Sequence, residues 1–504
     1  IDAGTRDNRY ADLIPDRDFS AIRKTEIAQH RYFLGDRFEG IPFGPVRVGA
    51  QLTPPRQFIT RHVARQTPTQ ANAFSAMQSL ALGGLGAGWG ASTMPYSDSD
   101  ISDWPLSRRD LEPFYHAVAT RIGICGSNDD DLVPYVGEME PLQPPPRLDS
   151  NAESMWRRYQ RHRPRLNAEG FAMGRARLAM LTEKLGDRKP VDYTDMEFWA
   201  DKRRAVYRPQ YTLEELKRAP NFTYRSGLIA KKFGRLGNTV RLICEPLTKG
   251  DAVAFSARQL VLAAGTLGTT RIVLHSLGKT NTRVPFVCSP YTYFPCLNVP
   301  RLGKPTRDRR HSLTQLTMIY DPDGTGRHVV QPQMYSYRSL LLFKLLKESP
   351  LSVKRSRPIM RALQEYFVIV GVFHEDRPSP RKWLELRGDT LHVYYELTEA
   401  EEKIQRTAER GVCRALRQLG CQPLKTIHPG HGSSIHYGGA FPMRENGGPL
   451  STEIDGTLRA QPLVTIADGA AFPSLPAKGP TFTLMANAQR VGVRLMERLL
   501  EEKE

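Results

Sequence analysis

The 504-residue sequence predicts a mixed α/β chain, α+β overall, in which one α/β layer is split along the sequence and a largely antiparallel sheet is inserted into it. Three observations predict this. The apolar run Gln259-Leu-Val-Leu-Ala-Ala-Gly265 has the length of a buried strand, stops at glycine and leads into a helix through Ile272–Leu277. Residues 281–425 alternate strand-like stretches (Leu313–Tyr320, Val329–Tyr337, Phe367–Phe373, Trp383–Leu386, Leu391–Leu397) with loops, and a helix over Ala400–Leu419 follows. The C-terminal stretch then returns to strand, tight loop and helix: Val464–Ala467, Asp468-Gly-Ala-Ala-Phe-Pro473, and Lys478-Gly-Pro-Thr481 onward.

Taken in order, residues 5–70 are mixed, with a short strand expected at Val46–Gly49. The run Gly83-Gly-Leu-Gly-Ala-Gly-Trp-Gly90 contains a formal Gly86-x-Gly88-x-x-Ala91, but no β-branched strand precedes it and Ser92-Thr-Met-Pro95 opens no helix. It therefore fails the context that a phosphate-binding turn requires. Ser107 reads as a helix N-cap with Asp110 at the capping-box position, and Leu111, Phe114, Tyr115 and Val118 share one face of that helix. Residues 127–150, acidic and then proline-rich, read as a linker, and residues 151–220 as charged and partly helical, including Leu213–Arg218. Asn221–Phe233 reads as strand, turn and strand. Val240–Glu245 and Ala252–Ser256 read as a hairpin around Lys249-Gly250. The resulting division is 1–126, 127–220, 221–280, 281–425 and 426–504, with the first, third and last pieces forming one domain and 281–425 the substrate-binding domain.

Composition narrows the function classes. The net charge is +18, from 71 Lys+Arg against 53 Asp+Glu, which favours anionic partners. Yet the basic residues are dispersed, with no basic arm and no RNP-type or zinc-finger spacing, so no nucleic-acid partner is expected. No apolar run approaches the roughly 18–20 residues that span a bilayer, so no membrane insertion is expected. Six cysteines without a CxxC pair predict free thiols in a reducing compartment, hence a cytoplasmic location, and no metal site.

The chemistry is concentrated near the end. His436-Tyr-Gly-Gly-Ala-Phe-Pro-Met443 places an imidazole beside a glycine turn, and imidazole titrates near working pH. Gly479-Pro480-Thr481 opens the last helix, with Gly479 as cap, Pro480 at the first position and Leu484, Ala488, Val491 and Leu495 along the apolar face. A base and a positive helix end thus converge on one pocket. His428 and His431 lie nearby, either as supporting groups or as ordinary loop histidines.

These blocks resemble the glucose–methanol–choline family of FAD-dependent alcohol oxidoreductases. His436, Gly439 and Met443 match its H-x-x-G-x-x-x-M pattern. The resemblance implies a Rossmann-type FAD-binding domain, discontinuous in sequence, with an antiparallel-sheet substrate domain. It implies His436 as the base that takes the hydroxyl proton while hydride passes to flavin. Gly84, Gly86, Gly88, Trp89 and Gly90 become the flavin-embracing loop, and Ala264 and Gly265 the end of the return strand. Asp468 and Gly469 become contacts to the flavin side chain, and Gly479, Pro480 and Thr481 the loop near N1 and O2. Ile1-Asp2-Ala3-Gly4 resembles the end of a second Rossmann strand, with Asp2 on the ribose and the first βα unit expected upstream; the alternative is an arbitrary flexible start. The match breaks at Gly479, where family members place His or Asn. Lys478, Thr481 or a residue of the middle domain is left to take that part. The expected substrate is a small-molecule alcohol, with a sugar, polyol or glycoside in view, and the electron acceptor is open. The rival reading is a catalytically degenerate flavin fold or a polyanion-binding protein.

Overall fold

The computed structural model describes residues 1–40, 52–306, 309–340, 345 and 349–501; the strand expected at Val46–Gly49 lies outside them. Its largest sheet has six antiparallel strands in the order Cys421–Pro423, Tyr291–Asn298, Phe367–Phe373, Gln331–Tyr335, Leu316–Tyr320 and Phe171–Arg175. Alternation sorts the two faces. Phe294, Val368, Val370, Val372, Met318 and Met334 point into a core shared with Met155, Tyr159, Val412 and Leu416 of the helices Ser150–Ala168 and Glu399–Gln418. Each fully buried side chain of this kind contributes ~1.5–3 kcal/mol. Both helices start where side chains cap them: Asp149 accepts from the N–H groups of Asn151 and Ala152, and Thr398 forms a capping box with Glu401. The opposite face of the sheet carries Tyr291, Gly371, Phe373, Gln331, Gln333 and Tyr335, a set too polar and aromatic for a plain core.

A second sheet has the order Thr69–Ala71, Thr390–Tyr395, Lys382–Arg387, Arg283–Cys288 and Tyr437–Gly439. The strands expected at Trp383–Leu386 and Leu391–Leu397 form and pair with each other, in antiparallel register Leu384↔Val393. They join this sheet, so the strands of residues 281–425 divide between two sheets. Tyr437–Gly439 is the edge strand, with Tyr437 opposite Cys288. Leu260–Leu262 and Val464–Ile466 form a two-stranded parallel pair, and the helix Gly265–Ser276 follows the first of them. The expected hairpin around Lys249-Gly250 forms as Thr239–Pro246 with Val253–Ala257, joined by Leu228–Leu236 in a three-stranded meander.

Three expectations are corrected. Asn221–Phe233 is not strand–turn–strand: only Leu228–Leu236 is a strand. Residues before it meet the N-terminal segment instead, with Asp2 N–H donating to Arg225 O at 2.9 Å and Leu228 N–H to Asp2 O at 3.2 Å. The C-terminal helix, Thr481–Glu501, buries Phe482, Ala486 and Val491 together with Asn487 and Arg490, while Leu484, Ala488 and Leu495 are only half-buried. The apolar letters misled because Arg490 is accommodated inside: its guanidinium reaches Ile454 O at 2.6 Å and Asn487 Oδ1 at 2.9 Å. The stretch read as a linker carries Leu132, Val136 and Met139 into buried positions and ties Gln143 N–H to Ile124 O at 2.8 Å.

The helix predicted from Ser107 spans Arg108–Ile122 with its capping box formed. It packs on the C-terminal helix through Tyr115, whose ring lies 4.9 Å from that of Phe482 and whose hydroxyl is 2.7 Å from Thr483 Oγ1. All six cysteines are free.

Candidate active site

The two C-terminal blocks read from the sequence are hydrogen-bonded together. Gly439 N–H donates to Phe472 O at 2.9 Å, Phe441 N–H to Ala470 O at 2.8 Å, and Met443 N–H to Ala471 O at 2.9 Å. His436 therefore sits on a segment fixed from both sides: by the Arg283–Cys288 strand and by the 470–472 turn. Its neighbour Tyr437 adds a third tie, donating to Ser75 O at 2.9 Å and accepting from Met77 N–H at 3.0 Å.

The His436 ring stacks on Phe373, with centroids 4.9 Å apart and planes 22° from parallel. It is half-buried, and its Nδ1 is enclosed with no hydrogen-bond partner. Burial pushes its pKa down to about 4, so the imidazole is neutral at ordinary pH. Gly479 lies against the other edge: a Cβ there would be 3.8 Å from His436 Cε1 and 4.0 Å from Nε2. The structure thus brings His436 and Gly479 together, with no side chain from position 479 between them. Pro480 accepts from Leu484 N–H at 2.8 Å as the helix begins, one residue later than expected, at half-buried Thr481.

Lys478 does not take the part left open by Gly479, which corrects that expectation. Its ammonium is buried on the far side, in an ion pair with Asp100 and bonded to Tyr135 O at 2.6 Å. A charge placed there needs its partner more than the site needs the lysine. His428 is a strut, 2.9 Å from Glu409 of the Glu399–Gln418 helix, which also accepts from Thr292 Oγ1 at 2.6 Å. His431 packs on the Tyr395 ring at 5.0 Å.

Asp468 ends the Val464–Ile466 strand and faces the start of the Gly265–Ser276 helix. Its carboxylate accepts from Ala470 N–H at 2.9 Å and from Thr269 Oγ1 at 2.5 Å. Burial raises its pKa to about 6 against these bonds. Gly469 is obligatory, since a Cβ would lie 2.6 Å from Tyr437 O and 2.8 Å from Thr266 Oγ1. Thr266 in turn donates to Tyr437 O at 3.0 Å, so the helix start, the Asp468-Gly469 turn and the His436 segment meet at one point. Gly265 adopts φ +75° with no atom within 4 Å of a would-be Cβ, and Ala264 before it is exposed.

The glycine run forms a 3-10 turn over Gly84–Gly88. Its glycines divide in role. A Cβ on Gly86 would strike Pro209 at 2.7 Å and one on Gly88 would strike Ile59 at 2.8 Å, whereas Gly84 and Gly90 face open space. Trp89 is pinned by Nε1–H donating to Tyr207 O at 2.8 Å and by Arg208 donating to its carbonyl at 2.8 Å. Asp2 lies beside Tyr224, whose hydroxyl donates to Oδ2 at 2.9 Å. Residues 1–5 reach the glycine run through Thr5, bonded to Leu80 O at 2.9 Å.

Phe373 and Thr269 were missed by sequence reasoning. Phe373 reads as core in an apolar strand, and only its register shows that it faces the histidine. Thr269 carries no local signal beyond a position one turn into a helix. Among the described residues no group of three or more His, Cys, Asp and Glu is placed to hold a metal, and no helix is long and apolar enough to cross a membrane.

No protein-family model and no curated protein matches this chain. Solved structures do. Pyridoxine 4-oxidase from Mesorbium loti matches with a TM-score of 0.54 at 14% identity, over 91% of this chain and 92% of that one. An FAD-dependent oxidoreductase from Chaetomium thermophilum, solved with a bound fragment, matches with a TM-score of 0.53 at 13% identity, over 84% and 87%. The chain therefore has the fold of these oxidoreductases along most of its length.

Proposed function

We propose that this chain is an FAD-dependent oxidoreductase of the glucose–methanol–choline type that oxidises an alcohol, with His436 as base. The observation that carries this reading is a neutral, half-buried imidazole resting against Gly479 at the head of the C-terminal helix. The fold likeness supports the cofactor, since the Chaetomium thermophilum neighbour is an FAD-dependent oxidoreductase by name. The residues fit a flat ligand. Open space over Gly84, Gly90 and Gly265 leaves room for backbone to approach it, and Asp468 and the two helix starts offer hydrogen-bonding and electrostatic handles.

When bound, the flavin supplies the hydride acceptor. The remaining work is the protein's. His436, neutral and stacked on Phe373, receives the hydroxyl proton as the carbinol hydrogen leaves with its electron pair. The orphaned Nδ1 edge is sealed from water, so the proton goes to Nε2, on the edge that Gly479 leaves uncovered. The N-terminus of Thr481–Glu501 lies beside the same place, and the positive end of a helix favours negative charge there. A sugar, polyol or glycoside remains the proposed substrate, with an acceptor yet to be identified.

The test is anaerobic. Purified full chain is expected to carry flavin absorbance that a panel of alcohols bleaches. The second reading, polyanion binding, is favoured by the +18 charge. Absence of flavin together with polyanion binding that weakens steeply with salt would establish it instead.

A further inference from the structure

The face of the six-stranded sheet turned toward His436 carries a donor with nothing to donate to. Gln331 lies directly opposite Phe373 in the antiparallel register, and Phe373 lies opposite Tyr291 on its other side. Cross-strand partners share a face, so Gln331, Phe373 and Tyr291 form one row, with the His436 ring stacked on its middle member. The Tyr291 ring sits 4.8 Å from that of Phe373 and covers Gly371, where any side chain would collide with it. Tyr291, Phe373, Tyr335 and His436 all retain part of their surface, while Gln331, in the same row, is fully buried.

Hydrogen bonding fixes which end of Gln331 is free. Tyr335 and Thr314 both donate through hydroxyls to Gln333 Oε1. This orients the Gln333 amide so that its Nε2 donates to Gln331 Oε1 at 3.3 Å and to Ser92 Oγ at 3.3 Å. Gln331 Oε1 is thereby used, and Gln331 Nε2 is left buried with no partner. A buried amide without an acceptor costs about 1–3 kcal/mol, a cost a fold carries where a ligand supplies the missing atom.

We infer that Gln331 is a substrate-positioning residue that donates through Nε2 to a second acceptor atom on the alcohol. This rests on the flavin-dependent alcohol oxidation proposed above. It sharpens the substrate class to an alcohol that carries another hydrogen-bond acceptor and a face able to lie on Phe373 and Tyr291. Two sources share that chemistry, a pyranose and a hydroxymethyl-substituted pyridine. Alcohols lacking the second acceptor leave Nε2 unpaired and are selected against.

Matched pairs test this by binding alone: tetrahydropyran-2-methanol, the bare pyranose ring with its hydroxymethyl, against cyclohexylmethanol, and nicotinyl alcohol against benzyl alcohol. Dissociation constants are measured by calorimetry, under anaerobic conditions, on the full chain with its flavin reduced beforehand, so that no hydride acceptor remains. Wild-type protein is expected to favour the acceptor-bearing member of at least one pair by roughly 10-fold or more, and the pair that discriminates identifies the source. In Gln331→Met, which keeps the volume, and in Gln331→Leu, the ratio is expected to fall toward one. A wild type that separates neither pair, or a ratio that survives in whichever variant folds, overturns the inference. Because binding is read directly, a slow or absent bleaching reaction counts against the proposed oxidation and not against Gln331.

Discussion

Burial sets the protonation of the two central side chains in opposite directions. For His436 it lowers the pKa from 6.5 to about 4. Between those values the unfolded chain binds a proton that the folded chain refuses. Its contribution to stability is therefore whole above pH 6.5 and falls as the pH drops toward 4. For Asp468 burial raises the pKa from 3.8 to about 6, so its contribution is most favourable below pH 3.8 and falls as the pH rises toward 6. The proposed role of His436 as base makes catalysis follow the histidine. The rate of alcohol-dependent flavin bleaching is expected to stay level down to a pH of about 5 and to fall only nearer 4. A pH–rate profile with its midpoint at the 6.5 of an unburied imidazole would contradict the enclosed geometry of Nδ1. Lys478 makes a separate prediction. Lys478→Met leaves Asp100 charged and unpaired in the interior, and thermal or denaturant unfolding should show a loss of ~3–5 kcal/mol. The double variant Lys478→Met/Asp100→Asn should recover part of that loss.

The loop from Asp468 to Thr481 determines where the histidine can work, and its two outer glycines have different obligations. Gly469 is pressed against Tyr437 O and Thr266 Oγ1, so Gly469→Ala must push apart the helix start and the His436 segment. Gly479 has ordinary van der Waals distance to His436, so Gly479→Ala fits. Melting curves should show the first destabilised by ~1–3 kcal/mol, as overpacking of a filled site does, and the second within ~0.5 kcal/mol of wild type. This loop, the capping box at Ser107, the hairpin around Lys249-Gly250 and the strands of 313–397 were legible in the sequence, because each is written in neighbouring residues. Gln331 and Phe373 were not. Which face of a strand they occupy depends on register against partners some forty residues away in the chain. The burial of Arg490 was not legible for a related reason, since the carbonyl of Ile454 that accepts from it belongs to another segment.

At the scale of the molecule, three sheets converge on one histidine: the edge strand that follows it, the parallel pair that leads to Asp468, and the antiparallel sheet that supplies Phe373. The many-stranded character of residues 281–425 was visible in the sequence, but not that its strands divide between two sheets. The net charge of +18 is spread over this frame and predicts attraction of anionic molecules at low salt, with no bearing on the fold. What ties the frame to the proposed function is His436. The most direct measurement is the rate of anaerobic flavin bleaching by a reactive alcohol in wild-type protein and in His436→Ala. If His436 takes the hydroxyl proton, the variant retains its flavin and its fold and bleaches slower by ~100-fold or more; a His436→Ala protein that bleaches at the wild-type rate contradicts the account.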